Sequence, residues 1–372
     1  MSWGIIRLML IDSRVVRKRI QNLNSICIYL PHRIGDLIAL TPSLANLKLT
    51  YPKHSFIAIG EASSFEVLDA NQVFDHYIFL PPKTMKWSSY WTFLRKLRRY
   101  QNSAGILCTD SLRSIFHLFL GGIRVRIGFK SSVNFLLTHS IEPVRNLPLV
   151  EKYASLTKNC GASIEYHRPF LLIDEKASFL CDAIFRKYAV SPGEMLIGLN
   201  PGSEYGETKQ WPGEYFVELA HKIQGEYGPV RFVVFGGLGN EASTDYICDE
   251  IGSAAINLSK ESLGFNNIKP FVSRLDLLIT NDCGFRWYAA AMQKLTLVLL
   301  GSTDPGLNYC FAENSHTIRK KIDCAPRNHR ICTSGFEGMR DLTPELVFEA
   351  IQRLRIEKTG LEKKVRQVSK VL

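Results

Sequence analysis

Short apolar runs, each closed by small polar residues and followed by a stretch of helical periodicity, recur along this chain, and their order limits the fold it can take. Residues 25–30, 56–59, 77–80 and 105–108 in the first half read as strands, as do 195–199, 231–235, 255–258, 275–280 and 295–300 in the second. Helical spacing of apolar residues falls between them, at 37–49, 91–100, 214–223 and around Ala289-Ala290-Ala291. This alternation predicts an α/β fold with parallel, doubly wound sheets. A length of 372 residues favours two such domains, each large enough to bury its own core. Their join is expected near residues 171–178, and residues 1–24 read as an extension before the first strand.

In folds of this class ligands sit outside the carboxyl ends of the strands, so the residues after each apolar run are the functional candidates. The run at 195–199 leads into Asn200-Pro201-Gly202, then a loop holding Ser203, Tyr205, Gly206, Thr208 and Lys209, then Trp211-Pro212. Pro212 suits the first turn of a helix. A strand, a loop with one lysine and a helix N-terminus together favour an anion, because free N–H groups and the helix dipole face it and the lysine adds charge. The loop lacks the G-x-x-x-x-G-K-[ST] of a Walker motif. An ordinary connection is the competing reading.

Asp36 follows the first run, where a helix cap is the plain alternative to a functional role. Gly237-Leu238-Gly239-Asn240-Glu241-Ala242 has the form G-x-G-x-x-A but does not follow the first strand of its domain. It reads either as close backbone approach to a nucleotide, with Glu241 a candidate for a ribose hydroxyl, or as a plain turn. Asn281-Asp282-Cys283-Gly284 and Gly301-Ser302-Thr303-Asp304-Pro305 close the last two runs. Strand ends this rich in small, hydroxyl and acidic side chains outline a polar rim suited to a sugar nucleotide.

Charge narrows the choice of partner. A formal net charge of +11 favours nucleic acid, an anionic membrane face or phosphorylated substrates. No nucleic-acid recognition motif is present, so that partner is not expected. Residues 86–100 mix aromatic and basic side chains, and either lie on an anionic membrane surface or form an ordinary amphipathic helix. Arg113, Arg124, Arg126 and Lys130 continue the basic character and are phosphate-binding candidates. The nine cysteines include no C-x-x-C, which argues for a reducing compartment and against a disulfide framework or zinc site. No apolar run reaches the ~18 residues of a membrane span. Residues 5–11 make a poor signal peptide, so a cytoplasmic protein is expected.

Four segments, taken in order, resemble the bacterial heptosyltransferases of lipopolysaccharide core synthesis, glycosyltransferase family 9. They are Arg33-Ile34-Gly35-Asp36 with Thr41-Pro42 behind it, Asn200-Pro201-Gly202 through Lys209-Gln210-Trp211-Pro212, Asn281-Asp282-Cys283-Gly284, and Gly301-Ser302-Thr303-Asp304-Pro305. Met339-Arg340-Asp341-Leu342-Thr343-Pro344 is similar to the family's C-terminal signature. The resemblance spans roughly residues 25–355. It implies a GT-B architecture, two doubly wound Rossmann-like lobes facing across a central cleft. Residues 25–175 would bind the acceptor and 176–350 the nucleotide sugar, with 1–24 an N-terminal extension and 351–372 a basic tail. The implied reaction is inverting transfer of L-glycero-D-manno-heptose from ADP-heptose to the lipid-linked, phosphorylated inner core. The implied setting is the cytoplasmic face of the inner membrane, with the protein bound peripherally.

By position in the motifs, Asp36 matches the family's general base. Lys209, with Thr208 and Gly206 beside it, matches the contact to the donor's phosphates. Asp282, with Gly284, matches an acidic residue near the sugar. Thr303 falls in the same donor set, and Glu241 matches a ribose contact. Arg33, Arg113 and Lys130 are expected on the acceptor side. Such a transfer needs a base for the acceptor hydroxyl and charge stabilisation on the leaving diphosphate. Lys209 and a helix N-terminus supply the latter without a metal, and no Asp-x-Asp occurs, so neither metal nor cofactor is expected. Cys283 stands where Ser is usual in the family, Trp287 where His is usual, and Gly338 where Cys is common; Pro31-His32 replaces small residues. These departures leave open a member using another sugar nucleotide or acceptor, and a non-catalytic glycan-binding descendant. A nicotinamide-dependent oxidoreductase rests only on the glycine fingerprint.

Overall fold

The computed structural model describes residues 13–81, 87–144, 147–203, 209–237, 239–301, 313–319 and 337–354. Two compact units divide the chain, residues 1–170 and 171–372. Gly206, Thr208, Thr303, residues 1–12 of the expected extension and 355–372 of the expected tail lie outside the described residues.

Among the described residues the N-terminal unit has six parallel strands, β1 (Ser25–Tyr29), β2 (Ser55–Gly60), β3 (His76–Phe79), β4 (Ser103–Leu107), β5 (Val125–Phe129) and β6 (His139–Ile141), in the order β3-β2-β1-β4-β5-β6. Its helices are α1 (Ser13–Gln21), α2 (Ile34–Thr50), α3 (Ala62–Leu68), α4 (Trp87–Arg98), α5 (Leu112–Leu120) and α6 (Leu149–Asn159). Successive strand residues point to opposite faces. Cys27, Tyr29, Ile57, Ile59 and Leu107 therefore pack with Phe93 and Leu97 of α4 and Leu118 of α5. Helix α2 packs along α6. Val16 and Ile20 of α1 are buried, so residues 13–21 are built into this unit.

Helix α2 is almost wholly buried and carries Pro42 in its interior. A proline removes the N–H that would bond to the carbonyl four residues earlier. Thr41 Oγ1 repairs the gap by donating to the Ile38 carbonyl at 2.7 Å, and it accepts from the Phe170 N–H at 3.0 Å. Buried Asn46 anchors the same passing segment, accepting from the Glu165 and Tyr166 N–H groups at 2.9 Å each. The Thr-Pro pair is thus a structural clasp.

The C-terminal unit repeats the plan. Strands β7 (Met195–Asn200), β8 (Val230–Val234), β9 (Ala255–Asn257), β10 (Leu277–Asn281), β11 (Thr296–Leu299) and β12 (Ser315–Ile318) are parallel, in the order β12-β11-β10-β7-β8-β9. The helices are α7 (Glu175–Lys187), α8 (Gly213–Tyr227), α9 (Glu241–Ile251), α10 (Lys269–Arg274), α11 (Arg286–Ala291), α12 (Glu337–Arg340) and α13 (Pro344–Arg353). The expected join at 171–178 is extended only at its start, since Asp174 caps α7 by accepting from the Ala177 N–H at 2.7 Å. In central β7, Gly198 leaves no room for a side chain: a Cβ there would lie 2.5 Å from Leu275 Cδ1. Both sheets reverse their winding once, between β1 and β4 and between β7 and β10. Such switch points open crevices at the carboxyl ends of the strands.

Candidate active site

In the N-terminal unit Asp36 sits beside the switch point. The turn expected at residues 31–36 is shorter than its sequence suggests, because α2 already starts at Ile34 and places Asp36 in its first turn. Its half-buried carboxylate accepts a hydrogen bond from Tyr153 Oη at 2.8 Å. Tyr153 lies on α6, is 1 % exposed and also reaches the Cys108 carbonyl after β4, at 3.4 Å. Burial first, and the Asp36 charge second, push its phenol well above the usual tyrosine range. The phenol therefore remains a fixed donor to Asp36 at every ordinary pH.

Beyond the ends of β4 and β5 lies a hollow of about 210 Å³, lined by Thr109, Asp110, Phe129, Lys130, Ser131 and Lys152 among others. Lys152 Nζ pairs with Asp110 at 2.7 Å and lies 5.3 Å from the Phe129 ring centre. Lys130 pairs with Glu142. Each lysine is thus matched locally by a carboxylate, and the hollow joins hydroxyls, charges and one aromatic ring. Of the three acceptor-side residues expected from sequence, Lys130 alone lines it. Arg33 is the exposed N-cap residue of α2. Arg113 folds back along α5, its Nε donating to His117 Nε2 at 3.3 Å and a terminal nitrogen to the Pro81 carbonyl at 3.4 Å.

In the C-terminal unit the motifs interlock at the β7–β10 switch point. Asn200 Nδ2, at the end of β7, donates to Thr280 Oγ1 at 2.8 Å and to Cys283 Sγ at 3.1 Å. Asn281 Nδ2 donates to the Pro201 carbonyl at 2.7 Å, and its Oδ1 accepts from the Trp211 N–H at 3.2 Å. The Trp211 indole, 2 % exposed, donates to the Leu342 carbonyl at 2.6 Å, which ties in the C-terminal signature. Cys283 Sγ thus accepts a bond inside the motif, and burial raises its thiol's pKa.

Within this frame Lys209 Nζ lies 3.1 Å from Asp282 Oδ2, and Arg286 Nη1 lies 3.3 Å from Asp282 Oδ1. The three side chains are 11 %, 6 % and 5 % exposed for Lys209, Asp282 and Arg286, so the trio is largely withdrawn from water. The Lys209 ammonium and the Arg286 guanidinium both reach the Asp282 carboxylate, and charges so placed act more strongly than at a surface. Gly284 follows Asp282 in the turn before α11, its carbonyl accepting from the Trp287 N–H at 3.2 Å. Trp287 is 4 % exposed, with the Arg286 guanidinium 6.0 Å from its ring centre.

The glycine fingerprint follows β8, away from the switch point. Glu241 opens α9 and turns its carboxylate back to accept from the Gly239 N–H at 2.8 Å. Gly239 has φ of 89°, a left-handed backbone that glycine takes without strain. The loop is thus held by its own carboxylate. Sequence reasoning missed Tyr153 and Arg286. Tyr153 lies 117 residues from Asp36 on a helix without a motif, so only the fold joins them. Arg286 had a usable signal, since it stands four residues after Asp282.

The profile of glycosyltransferase family 9 (heptosyltransferase) matches residues 90–336. The chain belongs to this family. It is 24% identical over 344 residues to lipooligosaccharide heptosyltransferase 2 of Campylobacter jejuni, covering 88% of this chain and 98% of the relative. It is 22% identical over 348 residues to lipopolysaccharide heptosyltransferase 2 of Salmonella typhimurium, covering 87% and 96%. Among solved structures, the family 9 glycosyl transferase of Veillonella parvula superposes with a TM-score of 0.78 at 18% identity, covering 91% of this chain and 99% of that one. The ADP-heptose LPS heptosyltransferase II of E. coli superposes with a TM-score of 0.72 at 20% identity, covering 89% and 98%. E. coli heptosyltransferase WaaC with ADP-2-deoxy-2-fluoro heptose does so at 0.67 and 15% identity, covering 88% and 99%. The family 9 chain described here has their two-lobed GT-B fold.

Proposed function

We propose that this protein transfers L-glycero-D-manno-heptose, with inversion, from ADP-heptose to a lipid-linked, phosphorylated inner-core acceptor at the cytoplasmic face of the inner membrane. The observation that carries the reading is the buried, ion-paired Lys209–Asp282–Arg286 trio at the β7–β10 switch point. In the reaction the acceptor hydroxyl attacks the anomeric carbon while Asp36 takes its proton, and the bond from that carbon to the diphosphate oxygen breaks. Tyr153 holds the Asp36 carboxylate in one direction. Lys209 meets the negative charge that grows on the leaving diphosphate, and the start of α8 adds its dipole. Asp282, gripped from behind by Arg286, fixes the lysine in place. The hollow beside Phe129, Lys130 and Lys152 holds an acceptor sugar, ring against ring and hydroxyls against Asp110 and Ser131.

The relatives named heptosyltransferase 2 support this donor and acceptor, as does the WaaC structure with an ADP-heptose analogue. Calorimetric titration with ADP tests the donor half. Lys209→Ala is expected to weaken ADP binding by roughly 10- to 100-fold, the worth of one charged hydrogen bond. Its fold should persist, because Asp282 keeps Arg286. Equal affinity in both proteins removes Lys209 from the donor site. The anomeric configuration of the product, read by NMR, tests inversion.

A further inference from the structure

Two adjacent helices of the N-terminal unit present apolar side chains on both their inner and outer faces. In α4, Phe93, Leu94 and Leu97 point inward, while Trp87 and Trp91, one turn apart, are 79 % and 53 % exposed. Arg95 continues that stripe at the next turn and Arg98 lies beside it. In α5, Ile115, His117 and Leu118 point inward, while Leu112, Phe116, Phe119 and Leu120 point outward, each between 41 % and 45 % exposed. A solvated domain helix carries polar residues there. The two helices meet through His117, whose ring packs on Phe93 at 4.8 Å and Tyr90 at 5.6 Å between centres. The turn at Asn134–Leu136, packed against α5, adds Phe135, 79 % exposed.

Around these rings the charge is nearly all of one sign. Between Trp87 and Ile141 the chain has eight Lys and Arg residues and a single acid, Asp110. Neither α4 nor α5 contains an acidic residue. Arg95, Lys96, Arg98, Arg99 and Arg124 are exposed.

We propose that the outer face of α4 and α5, with Phe135, docks on an anionic lipid bilayer. The tryptophan and phenylalanine rings enter the boundary between headgroups and acyl chains, and the arginines and Lys96 bind the lipid phosphates. Charge picks the occupant. A second copy of this chain would set like cations against one another, whereas an anionic bilayer matches both the rings and the cations. Among the described residues no helix is long and apolar enough to cross a membrane; the contact proposed is with the bilayer surface. The purpose of the face, delivering the base-bearing unit to a lipid-linked acceptor, rests on the transferase reading; the docking itself does not.

The test is co-sedimentation of the full chain with vesicles of phosphatidylcholine alone, or of phosphatidylcholine mixed with phosphatidylglycerol. The protein should bind the mixed vesicles and release as salt is raised. Trp87→Ser with Trp91→Ser should lower that binding at least about tenfold. Arg95→Glu with Arg98→Glu should lower it about 30-fold or more, since each cation near the surface is worth roughly fivefold. Phe179→Ser, which removes a 69 % exposed ring from the other unit, serves as the control and should bind like the parent. Parent protein that ignores both vesicles overturns the proposal, and so does unchanged binding by the tryptophan variant. Concentration-dependent self-association lost in that variant also overturns it, and assigns the face to a second copy. Turnover of a water-soluble core fragment should be the same in all these proteins. Absence of that turnover in the parent, with vesicle binding intact, refutes the transferase reading and leaves the docking face standing.

Discussion

Tyr153 has no motif around it, yet its buried phenol sets the direction of the Asp36 carboxylate. Asp36→Asn keeps the size and shape of the side chain but removes the proposed base. It is expected to fold with an unchanged unfolding midpoint and to lose about 10²- to 10⁴-fold in kcat. Full turnover in this variant removes Asp36 from the chemistry. Tyr153→Phe deletes only the donor. It should lower kcat about tenfold, the worth of one hydrogen bond to a charged group, while ADP affinity stays unchanged. A fall in ADP affinity without a change in kcat would place Tyr153 in another role. At this scale the motif residues Asp36, Lys209 and Asp282 were legible, because each follows a strand that reads plainly as one. Their partners were less so, since Tyr153 meets Asp36 only through the packing of α6 on α2. Glu241, expected at a ribose hydroxyl, accepts from the Gly239 N–H of its own loop, a bond its place in the sequence does not announce.

Among the elements, α2 carries a proline in its interior without breaking, because Thr41 supplies the missing donor to Ile38. Thr41→Val preserves the shape but strands the Ile38 carbonyl and the Phe170 N–H, both bonded by the hydroxyl. It is expected to cost about 2 kcal/mol or more, read as a lower denaturant midpoint with an unchanged slope. An unchanged midpoint would show that water replaces the hydroxyl at both groups. The central strands were readable since they are buried on both faces and so carry unbroken apolar runs. The outer strands were harder. In β5 Arg126 and Gly128 interrupt the run, and β12, Ser-His-Thr-Ile, is a polar edge strand. The α4 segment could be read as a helix from its periodicity, but whether its aromatic side met the core could be decided only with α5 beside it.

For the whole molecule, two sheets of equal size and equal strand order each place one motif-bearing switch point at their carboxyl ends. Their stabilities need not respond alike to acid. In the N-terminal unit His117, 1 % exposed, bonds Tyr29 Oη through Nδ1 at 2.9 Å and accepts from Arg113 at Nε2. Burial first, then the Arg113 charge, lowers its pKa from 6.5 to about 4. Between those values the unfolded chain binds a proton that the folded unit refuses. Stability is therefore complete above the unfolded value and falls with pH through this window, by about 3 kcal/mol at its acid end. Thermal unfolding from pH 7 to 4 should show this loss, and His117→Gln should flatten it; an equal loss in the variant would assign it to other groups.

The transferase reading stands or falls on donor turnover. Purified protein is mixed with ADP-heptose and with lipid-linked inner core that either lacks heptose or already carries one, and ADP release is followed. Release with one of these acceptors, abolished by Asp36→Asn, is the expected result and identifies the step catalysed. Tight ADP binding with no release from either acceptor would contradict the proposed reaction and point to another sugar or acceptor. The absence of both ADP release and ADP binding would contradict the donor site itself.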